Sequence, residues 1–253
     1  MNTSIKLLSY LLLFSTMVNA QNFQGKATYQ TSAKMDLQLE GQGLDPEMQK
    51  RVQAMLLKQS QKEYTLAFDS YASLFTLNES LEASSPQQDG MRMVVMSTDG
   101  GEGKTYKNTK EKRYASTRDL FGKPFLVKDK LESVNWKLTK ETKQIGIYTC
   151  YKATFNRLQE SFQSITIDNQ AEDKTETTTK TIEVEAWYTP DIPVAHGPQM
   201  YWGLPGLVME VKDGNSTVIC TAVTMNPSEK VDITEPKSGK IISESDFEQL
   251  IID

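Results

Sequence analysis

The chain has 253 residues, 38 % of them hydrophobic and 24 % charged, with net charge −5. Its 3 Trp, 10 Tyr and 9 Phe supply a core and exclude wholesale disorder, while the acidic balance excludes a general nucleic-acid binder, which needs a basic surface. Two cysteines exclude a disulfide-dense scaffold or a Cys-rich zinc module, and one histidine excludes any site built on several.

The first twenty residues read as an export signal. Lys6 is the basic start, Leu7 to Val18 the apolar stretch, and Val18-Asn19-Ala20 presents small residues at the first and third places before a break. The expectation is cleavage before Gln21 and an exported, periplasmic chain, or one associated with the outer membrane. Its charge becomes −6, from 27 cations and 33 anions. The apolar run is about twelve residues, short of the roughly twenty a transmembrane helix needs, and no later stretch qualifies.

From Gly25 to Leu39, Ala27, Tyr29, Thr31, Ala33, Met35, Leu37 and Leu39 alternate with polar residues. That period of two predicts a strand with one wet face, long enough to need a bend or bulge. Asp45-Pro46-Glu47 then reads as a helix start, with Met48, Val52, Met55 and Leu56 on one stripe. The expected helix, over 46–58, packs on a sheet as a cover.

Short alternating runs follow: Tyr64 to Phe68, Leu74 to Leu77, Met91 to Met96, Lys104 to Tyr106, Arg113 to Ser116, Val134 to Leu138 and Ile145 to Phe155. Turn residues separate them, as in 84–90 and Asp99-Gly100-Gly101. Residues 168–181 lack apolar periodicity and read as a flexible loop between strands. Ile182 to Tyr188, Leu207 to Val211 and Val218 to Met225 are further strands, with a turn at Asp213-Gly214-Asn215. Ser243 and Asp246 mark a helix start ahead of Phe247, Leu250 and Ile251.

Successive strands with hairpin-sized turns predict an antiparallel sheet, and one this large must curl to bury its apolar face. The expected fold is therefore β-rich α+β. A strongly curved, half-barrel-like sheet forms one domain over 21–253, with one covering helix and a short C-terminal helix.

The sequence holds no nucleophile elbow, metalloprotease helix or EF-hand loop. Residues 100–105, GGEGKT, lack the first glycine of a phosphate loop, since position 98 is Thr98. His196 lies in the turn-rich Pro193 to Pro198 and is expected in solvent rather than as a general base. No catalytic residue, metal or cofactor is expected. Cys150 and Cys220 both fall in strand-like runs, and export to an oxidising compartment makes them a candidate disulfide, with two separate buried thiols as the alternative.

The segment from Trp187 to Val211 concentrates two of the three Trp, two Tyr and four of the nine Pro. Leu204-Pro205-Gly206-Leu207 predicts a type II turn, with Gly206 at positive φ, and Gly203 allows close backbone approach. The plain expectation is a rigid corner feeding the next strand, with Gly203, Gly206 and Leu207 as its structural residues. The functional alternative is an aromatic rim, with Tyr201, Trp202, Leu204 and Pro205 as candidate binding residues.

Gly203 to Val208, GLPGLV, resembles the signature of the GLPGLI family, with Val208 in place of the last Ile. The blocks Ala186 to Thr189, Ile192-Pro193, Gly197-Pro198, Phe125 to Val127 with Asp129, Trp136 to Leu138, Ile145-Gly146 and Cys150 to Ala153 are similar to that family and stand in the same order. The resemblance implies an exported protein of Gram-negative bacteria with no settled biochemical function and carries over no catalytic residue. The expected role is a non-enzymatic binding or carrier protein for an apolar ligand or an outer-membrane client. The alternative is an accessory interaction protein of an envelope assembly.

Overall fold

The computed structural model describes residues 23–33, 47, 61–78, 103–165 and 174–252. The export signal, the run beyond Ala33, all of the 46–58 helix except Glu47, and residues 168–173 of the expected 168–181 loop lie outside them. From Lys174 that stretch is not a loop but part of a strand, Lys174–Thr189, whose backbone pairs antiparallel with Tyr148–Ile165. The strands are β1 (Gln24–Ala33), β2 (Glu63–Asp69), β3 (Ala72–Leu77), β4 (Thr105–Asn108), β5 (Arg113–Leu120), β6 (Lys123–Lys130), β7 (Lys137–Ile145), β8 (Tyr148–Ile165), β9 (Lys174–Thr189), β10 (Leu207–Asp213), β11 (Ser216–Met225) and β12 (Lys240–Ile242). Helix α1 (Glu244–Ile252) follows. Thr105 opens a strand, not the helix a phosphate loop requires.

Among the described residues all twelve strands form one open sheet in the order β12-β6-β5-β4-β3-β2-β1-β11-β10-β9-β8-β7. Every ladder is antiparallel except β12 on β6. The sheet is thus two meanders meeting at β1, one running out to β6 and the other returning from β7 to β11. The long β1 carries the irregularity that its length calls for. Thr28 faces Ala222 and Tyr29 faces Cys220, so Thr221 is the extra residue of a bulge.

Antiparallel order sorts the connections by end. The turn at 70–71, the turn at 109–112, the turn at 146–147 and the long segment 190–206 leave from one end of the sheet. The connections after β1, β3 and β8 leave from the other.

Alternation gives β2 to β6 two apolar faces. One carries Ala67, Leu74, Tyr106, Ala115 and Leu126, covered by Val231 and Ile233 of the segment that follows β11. That segment is tied down where Glu235 accepts from Arg113 at 2.8 Å and pairs with Lys128 at 3.0 Å. The other face carries a row set by direct cross-strand pairing: Gly25, Phe68, Ser73, Lys107, Tyr114 and Asp129. Helix α1 lies over its far end. Ser243 caps it by accepting from the Asp246 amide at 3.2 Å, and Asp129 accepts from the Glu244 amide at 3.1 Å. Arg118 forks onto Glu244 at 2.7 and 2.9 Å, Tyr114 donates to the same carboxylate, and Phe247 meets Phe125 edge-on.

Candidate functional site

Segment 190–206 connects β9 to β10 and is held largely by its own backbone. Gly203 N donates to Ala195 O at 3.1 Å, Leu207 N to Ile192 O at 2.9 Å, and Val208 N to His196 O at 3.0 Å. The turn differs from the one expected. Gly206 N donates to Leu204 O at 2.8 Å, an i→i+2 bond that makes a γ-turn centred on Pro205 rather than a type II turn. Gly206 does not take a positive φ; the residue that does is Gly203, at 90°. Gly206 is required by space, because a Cβ there would stand 2.1 Å from Thr189 O.

The segment packs as core. Ile192, Val194 and Leu207 join one cluster with Tyr29, Phe68, Trp187, Cys150 and Cys220. Leu204 and Tyr201 join Ala153, Ala186 and Val208, and Trp202 joins Tyr114, Phe125, Val127 and Phe247. Trp202 is 8 % exposed, its indole N–H donates to Glu132 O at 3.0 Å, and its own carbonyl accepts from the Trp136 indole at 2.8 Å. Half-buried Tyr201 donates to Asp213 at 2.6 Å, and Arg157 forks onto the same carboxylate. Of the expected binding residues only Pro205 is exposed; Leu204 is buried.

His196 is the clearest departure from expectation. It is 0 % exposed, tucked beside Phe68, with Nε2 against Asp69 O at 3.1 Å. Alternation and turn residues report local geometry only; the contact that buries it is 127 positions away. Donation from Nε2 leaves Nδ1 as an acceptor, and that buried atom has no partner, like Ser73 Oγ nearby. Burial, with the Lys107 charge beside it, pushes the imidazole down to about 4.

Lys107 has no signal in the sequence. It sits in a four-residue strand, yet it is fully buried. Its ammonium donates to Gly197 O at 2.7 Å, Gln199 O at 2.5 Å and Tyr201 O at 3.3 Å. Burial pulls it down to about 7, and the three carbonyl dipoles oppose that pull. Gln199, whose carbonyl lies nearest, takes φ 45°.

The cysteines are two free, buried thiols in the same cluster, which burial pushes up to about 11 for Cys150 and about 12 for Cys220. Around Trp187 an ionic chain links Lys143 to Glu210 at 2.8 Å and Lys152 to Glu185 at 2.9 Å, with Lys143 Nζ 4.3 Å from the ring centre. Among the described residues no group of three or more His, Cys, Asp and Glu is placed to hold a metal ion, and no helix is long and apolar enough to cross a membrane.

Residues 136–210 match a family model described as "Protein of unknown function (Porph_ging)". The stretch contains Trp136, Cys150, His196 and the GLPGL turn; the GLPGLI label is not part of that match. No curated protein matches. Among the solved structures that are similar are two of PNGF-II, in the C2 and P21 space groups. Each is 17 % identical over 91 % of this chain, with TM-scores of 0.51 and 0.52. The likeness is one of fold. This chain spans about a third of PNGF-II, at 33 % and 34 % of the two chains.

Proposed function

We propose that this is an exported, non-enzymatic binding protein built on a strongly curved sheet that rolls around segment 190–206. The burial of His196 carries the non-enzymatic reading. The one imidazole is walled in and neutral, and Lys107, Cys150 and Cys220 are equally enclosed. Such groups support a fold and reach no substrate.

Two observations support the curvature. The strands β6 and β7 stand ten steps apart in the sheet, about 48 Å if flat. Only residues 131–136 join them, a reach of roughly 25 Å at most. Moreover, Trp202 packs on β5 and β6 while Tyr201 and Leu204, its near neighbours, pack on β8 to β10. A flat sheet would hold those strands far beyond the span of four residues.

The client reading follows from what the segment leaves open. Ile192, Val194, Trp202 and Leu204 occupy the sheet face where an apolar small molecule would lie. The two most exposed large apolar groups among the described residues instead sit at hairpin tips: Phe121, 83 % exposed at φ 54°, and Ile147, 88 % exposed, while Leu158 and Ile241 are bare on strands. Holding a bare Phe in the left-handed region costs about 1 kcal/mol or more, the kind of strain that recurs at recognition sites. A protein client of the envelope fits these tips better than a carried apolar ligand. The residue 1–20 pattern supports export.

Native mass spectrometry of the mature chain from its own envelope, followed by solvent extraction, tests this reading. A co-purifying protein lost on Phe121→Ser supports it. A stoichiometric lipid on a bare chain restores the carrier reading, and turnover by the purified chain refutes the non-enzymatic one.

A further inference from the structure

Three carbonyls of one short loop, those of Gly197, Gln199 and Tyr201, converge on a single point that Lys107 Nζ occupies at 2.5–3.3 Å. Carbonyl dipoles aimed at one point repel one another, so the arrangement is favoured by a donor carrying positive charge at its focus. Gln199 adopts φ 45° in the middle of the loop, a conformation that costs energy for a non-glycine residue and helps direct these oxygens inward. Among the described residues no carboxylate is hydrogen-bonded to the ammonium. The Asp69 carboxylate accepts through Oδ1 from the Tyr71 and Ala72 amides, both at 2.7 Å. Of the titratable groups around Lys107, His196 is kept neutral by burial, and the cross-strand Tyr114 donates its hydroxyl to Glu244.

We propose that loop 197–201 is a cradle for one monovalent cation, that the Lys107 ammonium is its built-in occupant, and that the cradle takes a free ammonium or potassium ion when that side chain is removed. The chemistry selects the class. Divalent ions want carboxylate or water ligands at shorter range, about 2.0–2.1 Å for magnesium and 2.3–2.6 Å for calcium. Three neutral carbonyls spaced to suit an N–H donor offer neither the charge nor the distance. The cradle fixes the backbone that carries Tyr201 and Trp202, so the cation acts as the keystone between the two halves of the sheet.

The test is thermal unfolding of full-length Lys107→Ala and Lys107→Met in ammonium, potassium, sodium and choline chlorides at matched ionic strength. Alanine opens the space that methionine fills. The expected result is a Tm for Lys107→Ala that rises with ammonium or potassium well beyond its response to choline, with no such selectivity in Lys107→Met or the wild type. Equal responses to all four salts in Lys107→Ala overturn the proposal. If neither variant folds, the wild type decides. A Lys107 side-chain NH₃⁺ signal that is slow to exchange with water and couples to the three carbonyl carbons supports it, and a rapidly exchanging, uncoupled amine overturns it.

Discussion

At the scale of single residues, two glycines of one turn are needed for different reasons. Gly206 faces Thr189 O at 2.1 Å from a notional Cβ, whereas Gly203 faces open space but takes φ 90°. Gly206→Ala should therefore cost roughly 3 kcal/mol through displaced backbone, and Gly203→Ala about 1 kcal/mol through strain alone. Denaturant midpoints check the order, and equal losses would contradict it. His196 sets a pH dependence. Its folded pKa is depressed to about 4 from the ordinary 6.5, so between those values the unfolded chain takes up a proton that the folded one refuses. Stability is then unaffected above about pH 6.5 and falls as pH drops toward 4, by about 3 kcal/mol from this group. Urea titrations across that range should show a shallower fall for His196→Gln than for wild type; parallel curves would contradict the burial. The sequence marks both Gly203 and Gly206 as special but assigns the positive φ to the wrong one. Nothing local reports that Lys107 and His196 are buried, since their partners lie 90 and 127 positions away.

At the scale of elements, the strands were the most legible part. The runs at Tyr64 to Phe68 and Leu207 to Val211 are strands because one side of each packs and the other meets solvent or a second layer, which period two encodes directly. The run Ile145 to Phe155 is instead broken by a hairpin: Ile145 ends β7 and β8 begins at Tyr148, with Gly146 at φ 58° turning the chain between them. The Arg113 and Lys104 runs alternate less clearly than the Tyr64 and Leu207 runs, because their burial comes from covers elsewhere in the chain, Val231 and Ile233 after β11 and Phe247 of α1. Helix α1 has only nine residues, so its ends matter. Ser243 reads as a helix start in the sequence, and its hydroxyl accepts the Asp246 amide in the structure. Ser243→Ala should cost about 1 kcal/mol and should raise hydrogen exchange in α1 ahead of the sheet. Unchanged protection there would show that the Arg118–Glu244 fork alone holds the helix.

At the scale of the whole molecule, the antiparallel sense of the sheet was legible but the order of its strands was not, and neither β6 nor β12 was marked by an alternating run. A chain of hairpins predicts neighbours in sequence order. Here β1 sits in the centre, β6 hands over to β7 at the opposite edge, and β12 returns to pair in parallel with β6. Long-range pairing of β1 with β11 rests on complementary apolar faces such as Ala27 with Val223 and Tyr29 with Cys220, which no local pattern specifies. The aromatic corner is legible as a rigid block, but only this topology explains its use. Its residues pack on both meanders, Trp202 on β5 and β6 and Tyr201 and Leu204 on β8 to β10, instead of forming a rim.

The most direct test of this account is an electron–electron distance between spin labels at Lys123 on β6 and Asn156 on β8, both exposed in the structure. These strands are nine steps apart in the sheet, about 43 Å if it were flat. A sheet rolled around segment 190–206 predicts a single narrow distribution well below that value. A distance at or beyond about 43 Å would contradict it, because the two halves could not then share Tyr201, Trp202 and Leu204 as one core.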